Sequence, residues 1–117
     1  MTVEADLVTV IKPLCARVFP DFAPVCTQRP YVTYQQIGGE VVRYTDDLVP
    51  SIENGAFQFN VWANSRMEAK TLIKQIESAL IGAKAFQARP LSAPVADFDA
   101  DVPVYGARQD FSIWSAR

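Results

Sequence analysis

The chain has 117 residues, half of them hydrophobic and 21% charged, with a net charge of −2 and no histidine. This is ordinary globular composition, and at this length one domain spanning 1–117 buries roughly two thirds of its unfolded surface. The charge balance excludes a general grip on nucleic acid, which needs a concentrated cationic surface, and the lack of imidazole excludes Ser-His and Cys-His nucleophilic catalysis.

No apolar run is long enough to cross a bilayer, and Met1-Thr2-Val3-Glu4 has no signal-peptide pattern. The expectation is a protein made and kept in a cytoplasm. Glu4 to Val18 reads as a first helix, with Leu7, Val10, Ile11, Leu14 and Val18 on one side and Thr2 as its N-cap. Pro13 removes a backbone donor inside that pattern, which predicts a kink there or a restart. Arg17 to Pro20 leaves the helix, and Asp21 to Arg29 is a proline-punctuated connection. Cys15 and Cys26 are expected to be free thiols in a reducing compartment. Pro30 opens a strand, Tyr31 to Ile37, rich in β-branched and aromatic residues.

Gly38-Gly39 ends that strand and begins a long loop, 38–54. Its segment Glu40–Asn54 sets Glu40, Asp46, Asp47 and Glu53 against Arg43 and exceeds what a hairpin turn needs. Such a loop is either an interaction surface or a solvated hairpin end. Phe57-Gln58-Phe59-Asn60-Val61 then alternates as a half-buried strand. Ser65 and Glu68 have the spacing of a capping box. From there Ala69, Leu72, Ile73, Ile76, Ala79 and Leu80 mark one face of a helix ending at Gly82, a residue suited to a left-handed cap. Lys84 to Arg89 reads as a short strand, and a loop at 90–104, punctuated by Pro90, Pro94 and Pro103, carries Asp97, Asp99 and Asp101. Tyr105 to Ser115 alternates as the last strand. The predicted fold is α+β in the order α-β-β-α-β-β. Both helices pack on one face of a mainly antiparallel or mixed sheet of about four strands. Gln58, Asn60, Trp62, Arg108, Asp110 and Trp114 fall on the other face, which suits either burial against a partner or ordinary exposure.

Chemistry has little foothold in these residues. Two cysteines eleven positions apart without histidine do not make a zinc site. Asp97, Asp99 and Asp101 open like a calcium loop, but Val102 stands where glycine is required and Arg108 where the bidentate acid belongs. No Walker or G-x-G-x-x-G pattern occurs. The reading is of a non-enzymatic chain with no metal and no cofactor.

Arg17-Val18-Phe19-Pro20, Arg29-Pro30-Tyr31-Val32-Thr33-Tyr34-Gln35 and Phe57-Gln58-Phe59-Asn60-Val61-Trp62-Ala63 stand in the order seen in one family, and Glu68-Ala69 through Ile76 to Ala79-Leu80 continue it. In these blocks the chain resembles the tail completion, or tail-to-head joining, proteins of long-tailed bacteriophages and prophages. The likeness runs from about Asp6 to Phe111 by motif order; the loops Glu40–Asn54 and Pro90–Pro103 depart from it. The resemblance implies a structural protein of the virion neck, assembled in the bacterial host cytoplasm. It would cap the tail tube as a ring, typically hexameric, with self, the tail tube protein and the head connector or stopper protein as partners. DNA would pass through the lumen without specific binding, and no membrane would be involved. Glu40, Arg43, Asp46, Asp47 and Glu53 of the long loop, with Trp62 and Trp114 of the outer face, are the candidate assembly residues. The alternatives are a small-molecule-binding or enzymatic α+β domain, and a head–tail connector or stopper.

Overall fold

The computed structural model describes residues 2–43 and 49–117. Its elements are α1 (Val3–Ile11), β1 (Val18–Pro20), β2 (Tyr31–Gly38), β3 (Ile52–Ala63), α2 (Arg66–Gly82), β4 (Gln87–Pro90), β5 (Val95–Asp99) and β6 (Val104–Ala116). The strands form one six-stranded sheet in the order β1-β2-β3-β6-β4, with β5 also paired to β6. β1 runs parallel to β2, and the other pairings among the described residues are antiparallel. The α+β class and the mostly antiparallel mixed sheet agree with the sequence reading. The sheet has two more strands than expected, β1 and β5. Accordingly, the loop at 90–104 contains β5, and the loop at 38–54 gives up Ile52–Asn54 to β3.

α1 begins where expected, with Thr2 Oγ1 accepting from Ala5 N at 3.2 Å. It ends at Ile11, well short of Val18. Pro13 neither kinks nor restarts it. Residues 12–14 close the helix as a turn, with Leu14 N and Cys15 N both donating to Ile11 O. A proline there cannot supply the next ladder donor. The chain released by that stop becomes β1, whose Val18, Phe19 and Pro20 lie beside Val32, Thr33 and Tyr34.

α2 carries the predicted cap: Ser65 Oγ accepts from Glu68 N at 3.1 Å. In return, Glu68 Oε1 accepts from Asn64 N at 3.3 Å, one residue before the cap. At the far end Gly82 is the last helical residue, and Ala83 turns the chain out with φ −69° and ψ 142°. Gly82 therefore makes no left-handed cap, contrary to expectation. Its conformation is open to any side chain, and a Cβ there would meet nothing within 4 Å.

The core is the alternate set of the sheet under both helices. Phe57, Phe59, Val61 and Ala63 from β3 and Phe111 and Ile113 from β6 pack with Leu7, Ile11, Leu72, Ile73, Ile76 and Leu80. Phe59 meets Phe111 edge-on, with ring centroids 5.6 Å apart. Gln109 interrupts the apolar run of β6: its Nε2 donates to Glu77 Oε2 at 2.8 Å and to Ser92 O at 2.9 Å, tying α2 and the β4–β5 connection to the sheet.

β6 is 13 residues long and pairs with β3 from Tyr105 to Ala116. Its other side is covered by two short pieces, β4 opposite Phe111–Trp114 and β5 opposite Val104–Arg108. A strand of this length spans about 43 Å, and it sets the long dimension of a molecule measuring 53 × 25 × 24 Å. The base of the long loop, where Glu40 N donates to Asn54 Oδ1, lies at one end. The β5–β6 hairpin lies at the other.

Candidate assembly surface

The face of the sheet turned away from the helices is built by strict alternation. On β3 it carries Ala56, Gln58, Asn60 and Trp62; opposite them on β6 stand Ser112, Asp110, Arg108 and Gly106. Tyr31, Thr33 and Gln35 of β2 extend it on one side, and Gln87 and Arg89 of β4 on the other. Its centre is a polar ladder. Asn60 Nδ2 donates to Gln58 Oε1 at 3.3 Å, and Gln58 Nε2 donates to Asp110 Oδ1 at 3.2 Å. The first pair runs along β3 and the second crosses to β6, and together they fix side-chain orientation on an otherwise hydrated face.

The two tryptophans mark the ends of this face and do not meet. Trp62 lies across Gly106, where an added Cβ would sit 2.8 Å from its ring. Nearby, Arg29 binds Pro103 O at 2.9 Å. Trp114 stands eight positions further along β6, about 26 Å away at strand rise. It pairs with Asn54, whose Nδ2 donates to Ser112 Oγ at 2.9 Å. Glu40, Arg89, Ser112 and Trp114 line a shared groove of about 390 Å³ at that end.

The candidate residues thus divide. Glu40 and Trp114 come together, Trp62 lies at the opposite end, and Arg43 is exposed beyond Glu40. Glu53 pairs with Ser115 and faces the helix side, in a crevice with Val3 and Phe57. Asp46 and Asp47 lie outside the described residues. Asp97, Asp99 and Asp101 are on the hairpin, where Asp97 Oδ1 accepts from Phe98 N and Asp99 Oδ1 accepts from Asp101 N. Gln87, Arg89 and Tyr31 also belong to the face and were not singled out from sequence. The register of β4 and β2 is what places them there.

Among the described residues no group of three or more His, Cys, Asp or Glu side chains could hold a metal ion. The thiols of Cys15 and Cys26 are free, the first buried with Sγ 3.5 Å from Pro30 O, the second exposed. Tyr34 has a pKa raised above its ordinary value by burial, with Glu4 and Asp21 adding to the effect. It is a core residue beside Phe59, not a cleft residue. No described helix is long and apolar enough to cross a membrane.

Comparison with known families places the chain in a family of structural proteins of phage tails, not a family of enzymes. The matching family profile is described as Tail completion protein gp17 and covers residues 3–116, so the chain belongs to the tail completion protein gp17 family. No curated protein is significantly similar to it.

Proposed function

We propose that the protein, acting as a single domain, caps the phage tail tube as a ring and joins it to the head connector. The observation that carries this reading is family membership over nearly the whole chain. The build of the protomer supports it. Its outer face and its two ends are different surfaces, as a heterologous contact that closes by rotation requires. Six copies, as in the relatives it resembles, would complete the ring. The end bearing Glu40, Arg43 and Trp114 supplies the contact with the tube or the connector, together with the acids at 46, 47 and 53. With a net charge of −2 the chain gives DNA phosphates no overall cationic grip as the genome passes. The protein then resides in the virion neck after assembly in the host cytoplasm.

The test is complementation of a phage lacking this gene, with electron microscopy of the products. A variant with residues 41–51 replaced by a two-residue turn is expected to fold. Gly39 already abuts the Asn54 backbone, and long surface loops contribute little to stability. The expected products are filled heads and tails that fail to join, or tails of irregular length. Normal virions from the variant would remove the loop from the mechanism. Normal virions without any copy of the protein would overturn the reading itself.

A further inference from the structure

α2 turns an unusual face outward. Arg66, Lys70 and Lys74 recur at four-residue intervals, so they stack in one row about 12 Å long. Like charges at this spacing weaken a helix, and the acids of α2 do not relieve them. Glu68 is taken up by Asn64 N, and Glu77 by Gln109. Arg66 rests over the Tyr105 ring at 6.0 Å, while Lys70 and Lys74 make no ion pair among the described residues. Between the cations, Met67 is 79% exposed and, with Thr71, floors an open groove of about 430 Å³. The row is cationic with an apolar strip beside it.

The complementary surface is on the same chain. The β5–β6 hairpin presents Asp99 and Asp101, both exposed, with Val102 beside them at 55%, while Phe98 lies against the Tyr105 ring with centroids 4.9 Å apart. The base of the hairpin flanks its own α2, where Pro94 and Ala96 line a cavity of about 140 Å³ with Arg66 and Lys70, but its acidic tip points away from the row. The helix starts beside Tyr105 and runs back along the sheet, whereas the hairpin tip projects past the start of α2 in the opposite direction.

We propose that the outward face of α2 receives the β5–β6 hairpin of a second copy of this chain. Asp99 and Asp101 then meet Lys70 and Lys74, and Val102 covers Met67. Donor and acceptor patches differ, so the contact is head-to-flank, and repeating it gives a closed ring or an open chain. This assignment rests on the ring reading above and names the surfaces that build the ring.

Charge reversal in the phage complementation assay tests it. Asp99→Lys with Asp101→Lys, and separately Lys70→Glu with Lys74→Glu, are each expected to lower the yield of joined particles roughly a hundredfold, because like charges then face each other. All four substitutions in one chain restore the opposition at every contact, and the yield is expected to return to within about tenfold of wild type. Thermal unfolding of each purified variant checks that these exposed changes leave the fold intact. Normal yield from either two-site variant overturns the proposal. So does a four-site variant as defective as its parents, the result expected if the α2 row instead contacts DNA or the tube protein. Neither outcome touches the ring reading, which fails only if the phage needs no copy of the protein.

Discussion

Gly39 and Gly82 show how differently one residue type is used. Gly39 has φ +146°, and a Cβ there would lie 2.5 Å from the Asn54 carbonyl oxygen. Gly39→Ala is therefore expected to cost about 1–3 kcal/mol or more, since neither backbone can yield cheaply. Gly82 has open space and an ordinary helical conformation, so Gly82→Ala is expected to gain about 0.4–1 kcal/mol. Urea denaturation of the two variants would check both signs. Tyr34 supplies a pH signature. Its folded-state pKa is raised by burial from 10.0, so the unfolded chain releases the phenolic proton first. Its contribution to stability is complete below about pH 10 and is lost as pH rises from there through the folded-state pKa. Tyr34→Phe removes that component. A fall in denaturation midpoint equally steep in both proteins above pH 10 would refute it.

At the level of elements, α2 on β3 is the stabilising unit. Leu72→Ala or Ile76→Ala is expected to cost about 2–5 kcal/mol, as buried truncations do. Lys70→Ala or Lys74→Ala should move stability by about 0.5 kcal/mol or less. Equal losses by chemical denaturation would mean the buried face is wrongly assigned. Ser65→Ala should cost about 1 kcal/mol by uncapping the helix, readable as a lower thermal midpoint. These elements were legible in sequence because their periods are long and unbroken: Phe57 to Val61 alternates, and Leu72, Ile73, Ile76 and Leu80 recur as a helical stripe. β1 and β5 were not legible. Val18-Phe19-Pro20 is too short to show a period and is a strand only because Val32–Tyr34 lies beside it. Val95–Asp99 is polar at alternate positions but sits between prolines, and its partner in β6 defines it. The same limit applied to the outer face. Its β3 and β6 members could be read from alternation, whereas Gln87, Arg89 and Tyr31 joined it through register. The separation of Trp62 from Trp114 is likewise a property of the whole strand, not of either residue.

On the scale of the whole molecule, the Cα radius of gyration of 15.2 Å exceeds the roughly 13 Å of a compact chain this long. A rod-shaped chain with long strands exposes long sheet margins, and how those margins end matters. At β1, Asp21 N and Arg17 O bond to β2, so by the two-residue period Val18 and Pro20 direct their nitrogens outward. At β4, Leu91 N bonds to Asp110 O, so Ala88 and Pro90 do the same. In each case proline deletes one of two outward donors. Replacing Pro20 and Pro90 by threonine is expected to leave the fold intact but increase thioflavin-positive aggregate in concentrated solution. Unchanged dye binding would show that the prolines are incidental. With these donors deleted, the β1 and β4 margins offer a poorer backbone template on which further chains could add.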